Sequence, residues 1–201
     1  MSEHGQGSEG GISIGGGISI GRAARAKDRE VAGLEVADAG GVDAESLWGT
    51  MRRAPAAVTV VTASGEEGYA GITVSACCLV SLQPPLVLAC LHEGSQALDA
   101  IVSSGAFALT VLGGRQELLA EIFARRAPRP DPAFACIRHR TLVTGAPVLE
   151  GGPAWLDCRL HQIYPGGDHA IVVGLVVAAG VAAGQDDPLL YFGSQYRRLA
   201  P

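Results

Sequence analysis

Two long apolar stretches, AWLDCRLHQIY (Ala154 to Tyr164) and HAIVVGLVVAAGVAA (His169 to Ala183), flank the four residues PGGD. Pro-Gly-Gly-Asp is a strong turn signal, so the two stretches form one long antiparallel hairpin. That hairpin commits the chain to sheet pairing, and the earlier sequence supplies further strand-like runs. They are AVTVVTA (Ala57 to Ala63), GYAGITVSACC (Gly68 to Cys78), PLVLACL (Pro85 to Leu91) and Ala106 to Leu112, with PLLYF (Pro188 to Phe192) near the end. A turn built on Gly65 joins the first two runs as a hairpin, and Pro84-Pro85 imposes an extended entry to the third.

Helices are few. Asp43 is placed to cap a helix over AESLWGTMRR, with Leu47 and Met51 on one face and Pro55 ending it. Ser95 to Ser103 reads as a second helix. RQELLAEIFARR (Arg115 to Arg126) reads as a third, because Leu118, Leu119, Ile122 and Phe123 recur at helical spacing. ARRAPRPDPAFA (Ala124 to Ala135) holds three prolines and reads as an exposed loop. Many antiparallel strands with few helices between them argue for a closed barrel rather than a βαβ array.

Residues 1–42 differ from the rest. GGISIGGGISIG repeats G-I-S-I-G, and this glycine density reads as a flexible arm, since ordering it costs entropy with little apolar burial in return. GQGSEG (Gly5 to Gly10) matches G-x-G-x-x-G by letter but lacks the strand and helix that make the pattern a phosphate cradle. The folded domain is expected over 43–201.

The formal charge of −5, with Lys27 the only lysine, gives no electrostatic reason to expect nucleic acid. No apolar run is long enough to cross a bilayer as a helix. The chain shows no secretory signal pattern, so a cytoplasmic location is expected. Cys77, Cys78, Cys90, Cys136 and Cys158 have neither C-x-x-C nor zinc-site spacing. They read as reduced thiols, four of them in apolar or strand contexts, and no metal site is expected.

Strand alternation puts Thr73 and Ser75 on one face, which suits a solvated strand and equally a row of donors beside a planar ligand. His169, after the turn residue Asp168, is either a solvated side chain or a catalytic one. Arg125 and Arg126 suit a helix C-terminus and equally a phosphate. A nucleophilic Cys-His pair using Cys77 or Cys78 has no local signature.

In order, MRRAPAAVTVVTA, GITVSACCLVSLQPPLVLACL, SGAFALTVL, QELLAEIFA, GAPVLEGGPAWLDCRLHQIYPGGDHAIVVGLV and PLLYFGSQYRRL resemble the short-chain flavin reductases, the reductase components of two-component flavin monooxygenases. The specific elements are T-V-S-A followed by S-L-x-P-P-L-V, and a distant G-D-H followed by an apolar strand; the likeness runs from about Trp48 to Leu199. The resemblance implies a mainly β, FMN-binding split β-barrel with a Greek-key-like topology and a few peripheral helices. It also implies a homodimer with flavin sites near the subunit interface. FMN or FAD is the implied flavin, NADH or NADPH the reductant, and a flavin-dependent monooxygenase the receiver of reduced flavin.

By position, the resemblance places Thr73, Val74 and Ser75 along the isoalloxazine and ribityl chain. Cys90, Leu91, His92 and Ser95 fall where backbone and hydroxyl groups reach toward the flavin phosphate. Phe123, Ala124 and Arg125 match the segment closing over the phosphate end, and His169 matches the histidine beside the nicotinamide pocket. Hydride transfer between two stacked rings needs no covalent nucleophile or metal. The chain departs from many relatives at Ala76, where a serine is common, and at Thr110, where an asparagine is common. Threonine keeps a hydroxyl and loses the amide's two-donor fork. That departure motivates a second reading, a flavin-binding protein of the same fold without nicotinamide turnover.

Overall fold

The computed structural model describes residues 41–125, 134–183 and 187–199. The repeated G-I-S-I-G, the G-x-G-x-x-G letters and most of the proline-rich loop lie outside the described residues. Three helices, α1 (Ala44–Met51), α2 (Gln96–Ser104) and α3 (Glu117–Phe123), accompany twelve strands among the described residues. The strands are β1 (Ala56–Ala57), β2 (Thr59–Gly65), β3 (Gly68–Val74), β4 (Cys77–Leu82), β5 (Pro85–His92), β6 (Ala106–Val111), β7 (His139–Thr141), β8 (Pro147–Leu149), β9 (Ala154–Gly166), β10 (His169–Val181), β11 (Leu190–Phe192) and β12 (Gln195–Arg197).

Seven strands form one antiparallel sheet in the order β3-β2-β6-β9-β10-β5-β4. β3 and β4 lie at its opposite ends, yet only Ser75 and Ala76 separate Val74 from Cys77. Three peptide steps reach at most about 11 Å. The outer strands of a flat seven-stranded sheet would lie about 28 Å apart. The sheet must therefore roll until its edges meet. At the meeting point the Cys90 N–H donates to the Ala76 carbonyl at 2.9 Å. No ladder joins β3 to β4 or β5, so the barrel is closed but split along this seam.

Turn chemistry sets the hairpins. β9 and β10 meet through Gly167–Asp168, with Gly167 at φ +83°, so the hairpin expected at PGGD forms, its first strand running on through Gly166. β2 and β3 meet through Glu66–Glu67 between paired Gly65 and Gly68. β11 and β12 turn at Gly193–Ser194, both at positive φ as a type I′ turn requires. Ser95 caps α2, its hydroxyl accepting from the Leu98 N–H, and left-handed Gly105 ends that helix. Asp43 caps α1 as expected, accepting from the Ser46 N–H.

Three expectations are corrected. The run Gly68 to Cys78 is not one strand: it breaks at Ser75–Ala76, and Cys77–Leu82 forms a separate strand. The run Ala57 to Ala63 is likewise interrupted, at Val58 between β1 and β2, whereas Pro85 opens β5 where the Pro84-Pro85 pair implied. The third helix is shorter than Arg115 to Arg126, since Arg125 adopts φ +58° and cannot continue it.

The barrel interior is filled by Val61, Leu91, Phe107, Leu109, Cys158 and Val172. A second cluster, with Val58, Val60, Ala120, Phe123 and Leu189, packs α3 against the other face of β2. β2 is thus buried on both sides from Thr59 through Ala63, its two buried threonines included. Asp157 is fully buried on β9, its carboxylate accepting from the Thr144 backbone N–H and hydroxyl.

Gly174, at a β10 bulge, lies so close to Phe107 that a Cβ would overlap the ring, with Cε1 at 2.7 Å and Cys158 Cβ at 3.0 Å. Gly174→Ala should lower unfolding free energy by about 1–3 kcal/mol through overpacking. Urea denaturation checks this, and adding Phe107→Leu should recover part of the loss by shortening the opposing side chain.

Candidate active site

The split seam carries a cleft of about 150 Å³. Thr73, Val74 and Ser75 line it together with Ala124, which the resemblance assigned to the phosphate end. Trp48, Tyr191 and Tyr196 also line it. These aromatics were not anticipated. Tyr191 and Tyr196 reach the cleft because β11 pairs with β1 beside it and β12 pairs with β11, their rings 5.4 Å apart at 63°. Trp48 comes from α1 and is 56% exposed, so a large aromatic face stands open to a ligand.

The hydroxyls of Thr73 and Ser75 are not equivalent. Thr73 Oγ1 donates to the Ala120 carbonyl at 2.7 Å, pinning α3 to the end of β3. Its proton is spent inside the protein. Ser75, in the link between strands, is exposed and makes no side-chain hydrogen bond among the described residues. Of the pair, Ser75 is the available donor.

β5 runs beside the seam. Its pairing with β4 begins only at Cys77↔Ala89, so beyond Ala89 that edge of β5 has no strand partner, though the Cys90 N–H is taken by Ala76. Leu91 is fully buried and faces the core, which leaves only its backbone for a ligand. Cys90 and His92 point outward on the same face, and burial pushes the Cys90 thiol pKa up, with Cys78 and Cys77 nearby adding to the rise. Ser95 caps α2, and Arg125 Nη2 donates to Gln96 Oε1 at 3.1 Å in the first turn of that helix. A guanidinium and a helix N-terminus thus stand together at the end of the band, a setting suited to an anion. Phe123 is 2% exposed, with its ring against Gly71, so this side chain serves the core.

His169 pairs with His92 across β10 and β5, two positions along from Ile171↔Cys90. Its Nδ1 donates to Asp168 Oδ1 at 2.7 Å. Thr110 lies elsewhere. It is fully buried, and its hydroxyl accepts from the Leu149 N–H at 3.2 Å in the packing of β8 on β6.

The thiols show no nucleophilic arrangement. Cys77 Sγ shares a hydrogen bond with Thr59 Oγ1, and no hydrogen bond joins a cysteine to a histidine among the described residues. Buried Cys158 has its pKa pushed up to about 12. No group of three or more metal-ligating side chains occurs among the described residues. A larger cleft of about 560 Å³ between the β2–β3 hairpin and α2 is lined by Glu66, Glu67 and Asp99, carboxylates that disfavour a phosphate-bearing ligand.

A split antiparallel barrel with an aromatic and hydroxyl cleft at its seam, and an anion-favouring end, is the framework of a flavin-binding protein. The chain belongs to the family described as "Flavin reductase like domain", which matches residues 51–200. It is similar to "FMN reductase (NADH) RutF" of Agrobacterium fabrum, 37% identical over 149 residues that are 74% of this chain and 84% of the relative. It is 39% identical to "NADH:FMN oxidoreductase" of Rhodococcus qingshengii over 167 residues, 80% of this chain and 84% of the relative. Among solved structures it is similar to the "NADH:FAD oxidoreductase SgcE6" of Streptomyces globisporus C-1027, with a TM-score of 0.72 and 34% identity over 79% of this chain and 95% of that one.

The hydrogen bond and charge of His169 hold the Asp168 carboxyl below its ordinary value of 3.8. The Asp168–His169 pair is therefore intact above that value and is lost as pH falls through the lowered one. Carbon-detected NMR titration should show an Asp168 midpoint below 3.8, moving up toward it in His169→Ala.

Proposed function

We propose that this chain is an NADH-dependent flavin reductase that reduces FMN or FAD and releases the reduced flavin to a partner monooxygenase. One observation carries the reading: the cleft that holds Thr73, Val74 and Ser75 lies where the barrel closes through the Ser75–Ala76 link and no ladder joins its end strands. The aromatic wall and Ser75 offer a planar ring a stacking face and a hydrogen-bond donor. The free edge of β5 at Leu91 and His92, with Ser95, extends toward Arg125 and the α2 N-terminus, which suit the phosphate.

When bound, flavin supplies the ring that accepts hydride from the nicotinamide. The chain's own residues bind and orient. Ser75 offers a hydroxyl proton to the ring edge, Thr73 fixes α3 beside it, and Arg125 neutralises the anionic tail. His169, on the neighbouring strand beside His92, is assigned to the nicotinamide side, the role the family resemblance implies for it. The names of the sequence relatives favour FMN and NADH. FAD and NADPH are the comparison substrates.

The chain acts as a homodimer. Its cleft is smaller than the ~300–1,000 Å³ of typical small-molecule sites, so one subunit forms only part of the cofactor site. Leu79, Val80 and Leu82 on β4, and Leu47 and Met51 on α1, are large exposed apolar side chains that a second subunit would cover. The reading without turnover loses its structural motive, because Thr110 is sealed beneath β8, away from the cleft.

The test is NADH oxidation measured with FMN and FAD, repeated with NADPH. Flavin-dependent turnover is expected, fastest with NADH, and absence of turnover with all four pairs overturns the proposal. Ser75→Ala should weaken flavin binding roughly three- to ten-fold, the loss of one hydrogen bond. Its melting temperature should not change, since Ser75 makes no side-chain hydrogen bond within the described residues.

A further inference from the structure

His92 makes two contacts that flavin binding through its backbone does not require. Its ring meets that of His169 edge-to-face, centroids 5.6 Å apart at 80°. Its Nδ1 accepts from the Gly94 N–H at 3.1 Å, which locks the ring orientation and leaves the proton of the neutral ring on Nε2. On the facing strand, His169 Nδ1 donates to Asp168, so the two imidazoles are held in opposite tautomers. The tip is also tied down through its backbone, because the Glu93 N–H donates to the Asp168 carbonyl at 3.1 Å. The turn carrying His169 is therefore bound to the β5–α2 loop at the residue next to His92.

His169 needs this support. Its side chain is 43% exposed, and its only side-chain hydrogen-bond partner among the described residues, Asp168, is itself 83% exposed. One exposed hydrogen bond to an exposed partner orders a side chain weakly. A directly opposed cross-strand ring restricts it further, at a separation where such pairs interact.

We propose that His92 is a positioning residue for nicotinamide use: its imidazole, held by Gly94, sets the orientation in which His169 meets the nicotinamide. This rests on the reading that His169 serves the nicotinamide side of the flavin reductase site. The backbone of His92 remains available to flavin, so ring and backbone have separate roles.

The experiment is a double-mutant cycle on the full chain, reading the KM for NADH, kcat and flavin Kd. His92→Ala should raise the KM for NADH roughly three- to ten-fold, the scale of one aromatic pair, while flavin Kd and kcat stay within about two-fold. His92→Phe keeps the opposing ring without the Gly94 bond and should recover part of the loss. His92→Ala combined with His169→Ala should be no worse than His169→Ala alone, because His92 acts through His169. If His169→Ala raises the KM and His92→Ala does not, or if their effects multiply, the positioning role is wrong while the His169 assignment stands. A raised flavin Kd with unchanged KM in His92→Ala would assign the imidazole to flavin and equally overturn it. An unchanged KM in His169→Ala overturns the His169 assignment, and the role of His92 falls with it.

Discussion

The two-residue link Ser75–Ala76 is the constraint from which the rest of the molecule follows. β3 and β4 occupy opposite ends of the sheet order, and a link of this length can join them only if the sheet closes on itself. Closure through a link rather than a ladder leaves a seam. At that seam the edge of β5 facing away from β10 lacks a strand partner beyond Ala89, and the Ser75 side chain makes no hydrogen bond among the described residues. The same feature that completes the barrel opens it to a ligand.

Around the seam, most polar side chains are committed to holding the frame. Thr73 is bonded to α3, Ser95 caps α2, and Arg125 is bonded to α2 through Gln96. These bonds tie the end of β3, the two helices and the end of β5 into one unit, so the groups facing the cleft are fixed before anything binds. Such preorganisation is what hydride transfer between two rings asks of a protein, since the chemistry depends on placing the rings rather than on a reactive side chain. His92 and His169 extend the logic to the solvent side, where each ring is anchored through its Nδ1.

Much of this was legible in the sequence because turns and caps are local. PGGD announced the β9–β10 hairpin, and Ser95 and Gly105 bracket α2 as cap residues do. The break at Ser75–Ala76 was not legible. It carries no glycine or proline, and the alternating residues around it read as a continuing strand until the closure of the sheet bends the chain. Val74 lines the cleft alongside Thr73 and Ser75, where alternation would have turned it away. The aromatic wall was missed for a related reason. Trp48, Tyr191 and Tyr196 are brought together only by pairing between β1 and β11, far apart in sequence. Family resemblance located Thr73 and Ser75 together, and only the hydrogen bond to Ala120 separated their roles.

A crystal structure of the full chain soaked with FMN tests the central claim most directly. The account predicts the isoalloxazine against Thr73, Val74 and Ser75, within hydrogen-bond reach of the Ser75 hydroxyl, with its phosphate at Arg125 and the first turn of α2. Flavin bound instead in the cleft lined by Glu66, Glu67 and Asp99, with the seam empty, would contradict it.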